Sequence, residues 1–299
     1  MTWIAFLLVS GSALLHASWN FLSKSTRPSA AFFLLSSSTA TLLWAPFVLL
    51  VPVDFSALPL KFYIILLASG AAELLYIFGL FRAYQRTDIS MAYPLARALP
   101  VLLTAAVTAI FHLGKSPSVI ALAGMVVVSL GCLLLPLPSL KDFRLKTYMN
   151  PALFSIIMAA CGTVGYTVID SLGMPLMKAA NEGNKAFSGC LYIFFIELQL
   201  AIGLGVAVLN SRQERHNLRF LLHKIHYPIF AGLFSSVAYM MILVAMTHVT
   251  NVSFIQAFRQ VSLPLGVCAG IFILKESCSR PKLIGIILVL IGLILTAFK

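Results

Sequence analysis

Polar and ionisable side chains stand inside segments of this chain that are otherwise strongly apolar, and they are the residues that could do chemistry. A charged side chain at the centre of a membrane helix costs about 2.5–3.5 kcal/mol on insertion scales, so such residues are usually retained for function. We predict a ligand-binding site built from His16, Trp19, Asn20, Tyr76, Tyr93, Arg97, Tyr166, Tyr239, Gln256, Arg259 and Gln260, with Glu73, Asp170 and Glu197 as coupling or counter-charge groups.

Helical spacing arranges most of these side chains in pairs. Residues three or four apart lie side by side on one face of a helix. The pairs with this spacing are His16 with Asn20, Glu73 with Tyr76, Tyr93 with Arg97, Tyr166 with Asp170, and Gln256 with Arg259. Each pair can therefore face a shared interior.

Two interpretations of the arginines stay open at this level. The guanidinium fork of Arg97 and of Arg259 suits a carboxylate or phosphate, so either could orient an anionic substrate. Alternatively, the three acidic residues neutralise both arginines inside the protein. Two roles are also open for Glu73 and Glu197: each could carry a coupling proton or serve as a permanent counter-ion to an arginine. His16 suits a proton relay, and its alternative is a hydrogen bond to a neighbour.

The composition identifies an integral membrane protein. Of the 299 residues, 60% are hydrophobic and 10% are charged, and the mean hydropathy is +0.98. A soluble domain of this composition would expose one continuous apolar surface. The net charge of +12 comes from residues that fall largely between apolar runs, so we expect no nucleic-acid partner. The five cysteines show no disulfide or zinc spacing, and we expect no metal or cofactor.

Ten apolar segments are long enough to cross a bilayer, which needs about 20 residues. The predicted spans are 3–23, 29–51, 61–82, 90–112, 117–136, 151–173, 187–209, 227–248, 252–273 and 281–298. The first has no basic region ahead of it, so we predict a span and not a cleaved signal peptide. The basic segment 212–226 is predicted as a short interfacial helix, whose histidines lack the partners of a metal site.

The two halves of the chain repeat each other. Gly124 and Gly131 recur as Gly285 and Gly292, at a constant offset of 161 residues. Five spans per half is an odd number, so the two repeats must lie in opposite orientations. The glycine pairs place small residues on one helix face, which permits close packing of spans five and ten, against each other or across a dimer.

The two arginines inside the membrane hold near-equivalent places in this repeat. Arg97 corresponds to Arg259 at an offset of 162, and each is followed by a proline, Pro100 or Pro264. Because proline removes a hydrogen bond from the helix, we predict a loosened helix beside each arginine. Lysine and arginine are concentrated in the odd-numbered loops, which predicts that those loops are cytoplasmic.

With these features the chain resembles the drug/metabolite transporter superfamily, in its ten-span EamA-type branch. The resemblance rests on the repeat, the Gly-x6-Gly helix that ends each half, the Lys275-Glu276 turn and the stretch His16-Ala-Ser-Trp-Asn20. The first half departs from the pattern with Gly114-Lys115. The resemblance implies ten helices as two inverted five-helix repeats, 1–140 and 141–299. It also implies a central cavity that works by alternating access.

The expected fold is therefore all-α and integral to the membrane, with the two repeats as its domains, and the expected function is secondary active transport. The substrate would be a small polar metabolite, anionic or zwitterionic and amino-acid-like. A lipid-linked carrier flippase and a multidrug exporter of the same superfamily stay open. An enzyme is not expected, since the sequence has no His-Glu-x-x-His or Gly-x-Ser-x-Gly motif. We also expect that a proton could couple transport, that the protein lies in a bacterial inner membrane, and that it is a monomer or a homodimer.

Overall fold

The chain is all-helical in a computed structural model that describes residues 2–24, 26, 28–86, 89–144, 148–149, 151–265 and 279–297, without the side chains of residues 21, 24, 57 and 89–93. The helices are α1 (Trp3–Lys24), α2 (Ala30–Leu50), α3 (Leu60–Arg86), α4 (Ile89–Ile110), α5 (Val119–Leu134), α6 (Leu153–Ala180), α7 (Ser188–Asn210), α8 (Arg212–Leu222), α9 (His226–Met246), α10 (Val252–Phe258) and α11 (Arg280–Ala297). The Lys275-Glu276 turn and the end of the predicted ninth span lie outside the described residues.

Six of the described helices are long and apolar enough to cross a membrane. They are α2, α3, α6, α7 with the short segment before it, α9 and α11. Pro94–Ile110 and Val119–Leu134 are shorter apolar helices. These helices confirm the expectation of a multi-pass membrane protein.

The end of α6 differs from the sequence prediction, which ends the span at residue 173. The helix continues through Pro175 to Ala180. Met174 and Met177, beyond the predicted end, are fully buried, so packing supports the extra turns. A length of about 20 residues is what a bilayer requires, and it sets no upper limit on a helix.

Four helix pairs make the most extensive contacts: α1 with α9, α2 with α7, α3 with α6, and α5 with α11. The α3–α6 pair runs antiparallel, because Gly79 packs on Ala159 and Gly173 packs near Ile65. Every one of the four pairs joins a helix that precedes Lys141 to a helix that follows it. The interior is therefore formed between the two parts of the chain.

The glycines of α5 and α11 bring the two backbones into contact. A Cβ atom on Gly124 would lie 2.7 Å from Gly292 O, and a Cβ atom on Gly292 would lie 2.7 Å from Gly124 O. Gly131 and Gly285 make the same reciprocal contact at 2.8 Å. Only glycine permits such an approach. Of the two arrangements that the sequence allows, α5 and α11 pack against each other within the chain.

The short helix α8 lies where the sequence predicts an amphipathic helix. Ser211 caps it by accepting a hydrogen bond from the Glu214 amide. Glu214 Oε2 in turn accepts from the Ala31 amide at 2.9 Å. A carboxylate at a helix N-terminus satisfies an amide that the helix leaves open and complements its dipole. Glu214 therefore ties α8 to the start of α2.

Candidate binding cavity

A cavity lies between α1, α2, α3, α6, α7, α9 and the turn after α10, with about 630 Å³ of empty space when the solvent at its mouth is included. The predicted site residues in its wall are His16, Trp19, Glu73, Tyr76, Tyr166, Glu197, Tyr239 and Arg259. Side chains that come from five helices and one turn thus meet in one place. Asn20, Arg97, Asp170, Gln256 and Gln260 do not line this cavity, and the side chain of Tyr93 is not among those described.

Arg259 stands on a 3₁₀ turn, Arg259–Val261, that directly follows α10. Pro264 lacks the N–H group that an α-helix would offer to the carbonyl of Gln260, so the chain tightens before it. The predicted loosening is found here, whereas α4 remains α-helical across Pro100. The turn sets the Arg259 side chain into the cavity wall.

The guanidinium of Arg259 is buried against tyrosines. Its Nη2 donates to Tyr166 Oη at 3.3 Å, and its Cζ lies 5.9 Å and 5.8 Å from the ring centres of Tyr166 and Tyr239. Cation–π contacts of this kind stabilise a guanidinium without occupying its N–H groups. Within the described part of the chain, Nη1 has no hydrogen-bond partner and Arg259 has no ion pair. The guanidinium therefore keeps one buried N–H group without a hydrogen-bond partner among the described residues.

His16 presents a second open donor in the same wall. Trp19 Nε1 can only donate, and it lies 3.1 Å from His16 Nδ1. Nδ1 therefore accepts, which places the proton of the neutral ring on Nε2. Nε2 has no hydrogen-bond partner among the described residues. The bond to a neighbour that the sequence allowed is present, and it leaves the other ring nitrogen open.

Asp170 lies behind the wall and is fully buried. Its Oδ1 accepts from Ser69 Oγ and, at 2.9 Å, from Tyr192 Oη, and its Oδ2 accepts from Tyr239 Oη. Hydroxyls thus surround this carboxylate, and no hydrogen bond or ion pair joins it to Arg259. Because Tyr239 touches both groups, the negative charge lies one tyrosine away from the guanidinium.

The two membrane glutamates face the same cavity as Arg259. Glu73 and Glu197 are buried and both line the wall. Glu197 accepts a hydrogen bond from Ser37 of α2. The cavity therefore combines one cation, two carboxylates and several aromatic rings.

Arg97, Gln256 and Gln260 lie outside the cavity wall, and Arg97 braces it. Arg97 Nη2 donates to Ser262 Oγ at 2.9 Å, and Ser262 Oγ donates to Arg259 O at 2.9 Å. Gln260 Nε2 donates to Gln256 O at 3.0 Å. Arg97 therefore supports the turn that carries Arg259, so the two arginines, equivalent in the sequence, hold different positions.

Several wall residues were not predicted from the sequence: Phe32, Phe33, Ser36, Ser37, Ile77, Leu200, Ala231 and Ser235. Serine and apolar residues are common in membrane helices and carry no signal of their own. Ser69, which contacts Asp170, stands four residues before Glu73 and so shares its helix face, a spacing that could have identified it.

Comparison with known proteins identifies the family of the chain. A family model described as a sugar transport protein matches residues 12–299. Of the solved chains, 27 match, among them a crystal structure with a TM-score of 0.69, covering 98% of this chain and 97% of that one at 16% identity. That identity supports the fold alone. No curated protein matches. The chain belongs to the sugar transport protein family and is a membrane transporter.

Proposed function

We propose that the chain is a secondary active transporter that moves a small polar metabolite with an anionic or zwitterionic group through this cavity by alternating access. The observation that carries the proposal is the open Nη1 of Arg259 in a buried wall. A buried donor without a partner costs about 1–3 kcal/mol, and more when it is charged. An anionic group of the substrate would satisfy it, with His16 Nε2 as a second donor.

The carboxylates of the wall fit the zwitterionic form of this proposal. Glu73 or Glu197 would accept an ammonium group while Arg259 holds the carboxylate of the same molecule. In the free protein either glutamate would be the group that carries a coupling proton, since ionisable residues inside membrane helices commonly form such relays.

A neutral sugar is the second candidate, because the family model that matches the chain is described as a sugar transport protein. The rings of Trp19, Tyr76 and Tyr166 provide flat apolar walls, and the glutamates and serines provide acceptors for hydroxyl groups. Sites of this kind combine an apolar lining with a few polar groups that fix orientation.

The packing supports ten spans in two inverted repeats, 1–140 and 141–299. Under that scheme α1 corresponds to α6 and α3 to α9, so the α1–α9 pair is the counterpart of the α3–α6 pair. In the α2–α7 pair and in the α5–α11 pair, the two helices that pack together are themselves equivalent in the repeat. The reciprocal glycine contacts of α5 and α11 have the same two-fold relation. A bacterial inner membrane and cytoplasmic odd-numbered loops remain part of the proposal.

The test is a thermal-shift screen of the purified protein with amino acids, sugar acids, neutral sugars and hydrophobic cations. A ligand that binds the folded state raises the unfolding temperature. We expect stabilisation by an anionic or zwitterionic compound, lost in Arg259→Gln and kept in Arg82→Gln, an exposed arginine of α3 that does not line the cavity.

The other outcomes separate the alternatives. Stabilisation by a neutral sugar that Arg259→Gln leaves unchanged would favour the second candidate. Stabilisation by hydrophobic cations alone would contradict both and favour drug export. A lipid-linked carrier that competes with all other ligands would favour a flippase.

A further inference from the structure

A second cavity lies at one end of the helix bundle, with about 450 Å³ of empty space when the solvent at its mouth is included. It is lined by the last turns of α6, the first turn of α7 and the end of α9, and it shares no residue with the first cavity. Its polar side chains are those of Lys178, Lys185, Ser188, Thr247 and His248. The function proposed above makes no use of it.

The charge of this cavity has one sign. Lys178 and Lys185 both line it, and no acidic side chain among the described residues does. Within the described part of the chain, neither lysine takes part in an ion pair. Two ammonium groups that share a concave site without a counter-ion attract an anion.

The hydroxyls of the cavity complement such an anion. Ser188 is buried, and its Oγ accepts from Asn181 Nδ2 at 3.4 Å, which leaves the Ser188 proton for an acceptor inside the cavity. His248 is half-buried in the same wall. A tetrahedral oxyanion can use an ammonium group and a hydroxyl donor together.

Exposed apolar side chains stand next to the lining residues in the chain. Leu172 and Phe187, next to the lining segments in the chain, are 42% and 40% exposed. On a membrane helix such exposed apolar side chains contact acyl chains, and lysine at the end of a helix lies at headgroup level.

We propose that this cavity binds a phosphate group, supplied by the headgroup of an anionic phospholipid. Lys178 and Lys185 pair with the phosphodiester, Ser188 donates to one of its oxygens, and the acyl chains run along Leu172 and Phe187. The site is independent of the substrate cavity.

The test compares two double variants with equal loss of charge. Lys178→Gln/Lys185→Gln changes the cavity, and Lys141→Gln/Lys224→Gln changes exposed lysines elsewhere. The purified full chain is titrated in neutral detergent with phosphatidylglycerol, phosphatidylcholine or inorganic phosphate, and bound lipid is counted by native mass spectrometry. Affinity for phosphatidylglycerol should fall about 30-fold in the cavity variant and stay unchanged in the control.

Two results would overturn the proposal. Equal loss of phosphatidylglycerol binding in both double variants would mean that only overall charge matters. Competition by millimolar inorganic phosphate, with no advantage for the lipid, would assign the cavity to a soluble phosphate. All the lysines involved lie on partly or fully exposed positions, so the variants should fold, and unfolding temperatures without lipid check this.

Discussion

Two tyrosines donate to the same buried carboxylate, and only one of them faces the substrate cavity. Tyr192 and Tyr239 both donate to Asp170, from α7 and α9. Tyr239 also lines the cavity beside Arg259, whereas Tyr192 is fully buried and does not line it. Tyr192→Phe and Tyr239→Phe therefore each remove one hydroxyl donor from Asp170. Only the second of these hydroxyls belongs to a residue of the cavity wall.

The expected loss of stability is similar for both variants. A hydrogen bond to a charged group contributes about 1.5–3 kcal/mol, and each variant leaves Asp170 with two of its three donors. Ligand affinity should separate them. Tyr239→Phe removes the hydrogen bond that anchors the ring beside Arg259, and should weaken binding about 2- to 10-fold. Tyr192→Phe should leave affinity unchanged.

The assay is thermal unfolding of each variant over a titration of whichever ligand the screen identifies. Equal weakening of binding by both variants would refute the reasoning, because the effect would then travel through Asp170 and not through the cavity wall. Unchanged unfolding temperatures in both variants would contradict the two tyrosine hydrogen bonds themselves.

Three further changes probe the scaffold. Gly131→Ala forces a methyl group against a backbone carbonyl of α11 and should cost about 1–3 kcal/mol in unfolding experiments, whereas Gly183→Ala, in open space, should be neutral. Glu214→Gln removes the charge at the start of α2 and should lower stability by about 0.3–1 kcal/mol, while Glu182→Gln, at an exposed position, serves as its control in the same thermal assay. Trp19→Phe removes the hydrogen bond to His16 Nδ1 and so frees the histidine ring to reorient. A ligand titration should show weaker binding, while the unfolding temperature without ligand changes little.

The sequence predicts these helices well because the length of an apolar run can be read directly along the chain. The predicted segment 61–82 is α3, Leu60–Arg86, and the segment 187–209 is α7, Ser188–Asn210. Much of the cavity wall is predicted for a related reason. A charged side chain is costly in a bilayer wherever the helix places it, so residue type and hydrophobic context alone single out Glu73, Glu197 and Arg259.

What the sequence could not predict depends on contacts between helices. Arg97 and Arg259 have the same type, a proline nearby and corresponding positions, yet only Arg259 lines the cavity. Arg97 instead donates to Ser262, in the chain after α10. Likewise, nothing in the sequence indicates that the partners of Asp170 are hydroxyls and not arginines.

The pairing of early helices with late ones has a consequence for how the protein is made. α1, α2, α3 and α5 each have their most extensive contacts with a helix that is synthesised after Lys141. During translation these four helices enter the bilayer while their partners are still inside the ribosome or untranslated. Until then Glu73 lies in the bilayer without the neighbours that bury it in the folded protein. The fold can therefore form only after the C-terminal helices have been synthesised. A chain truncated before α6 would hold inserted helices that lack their main packing partners.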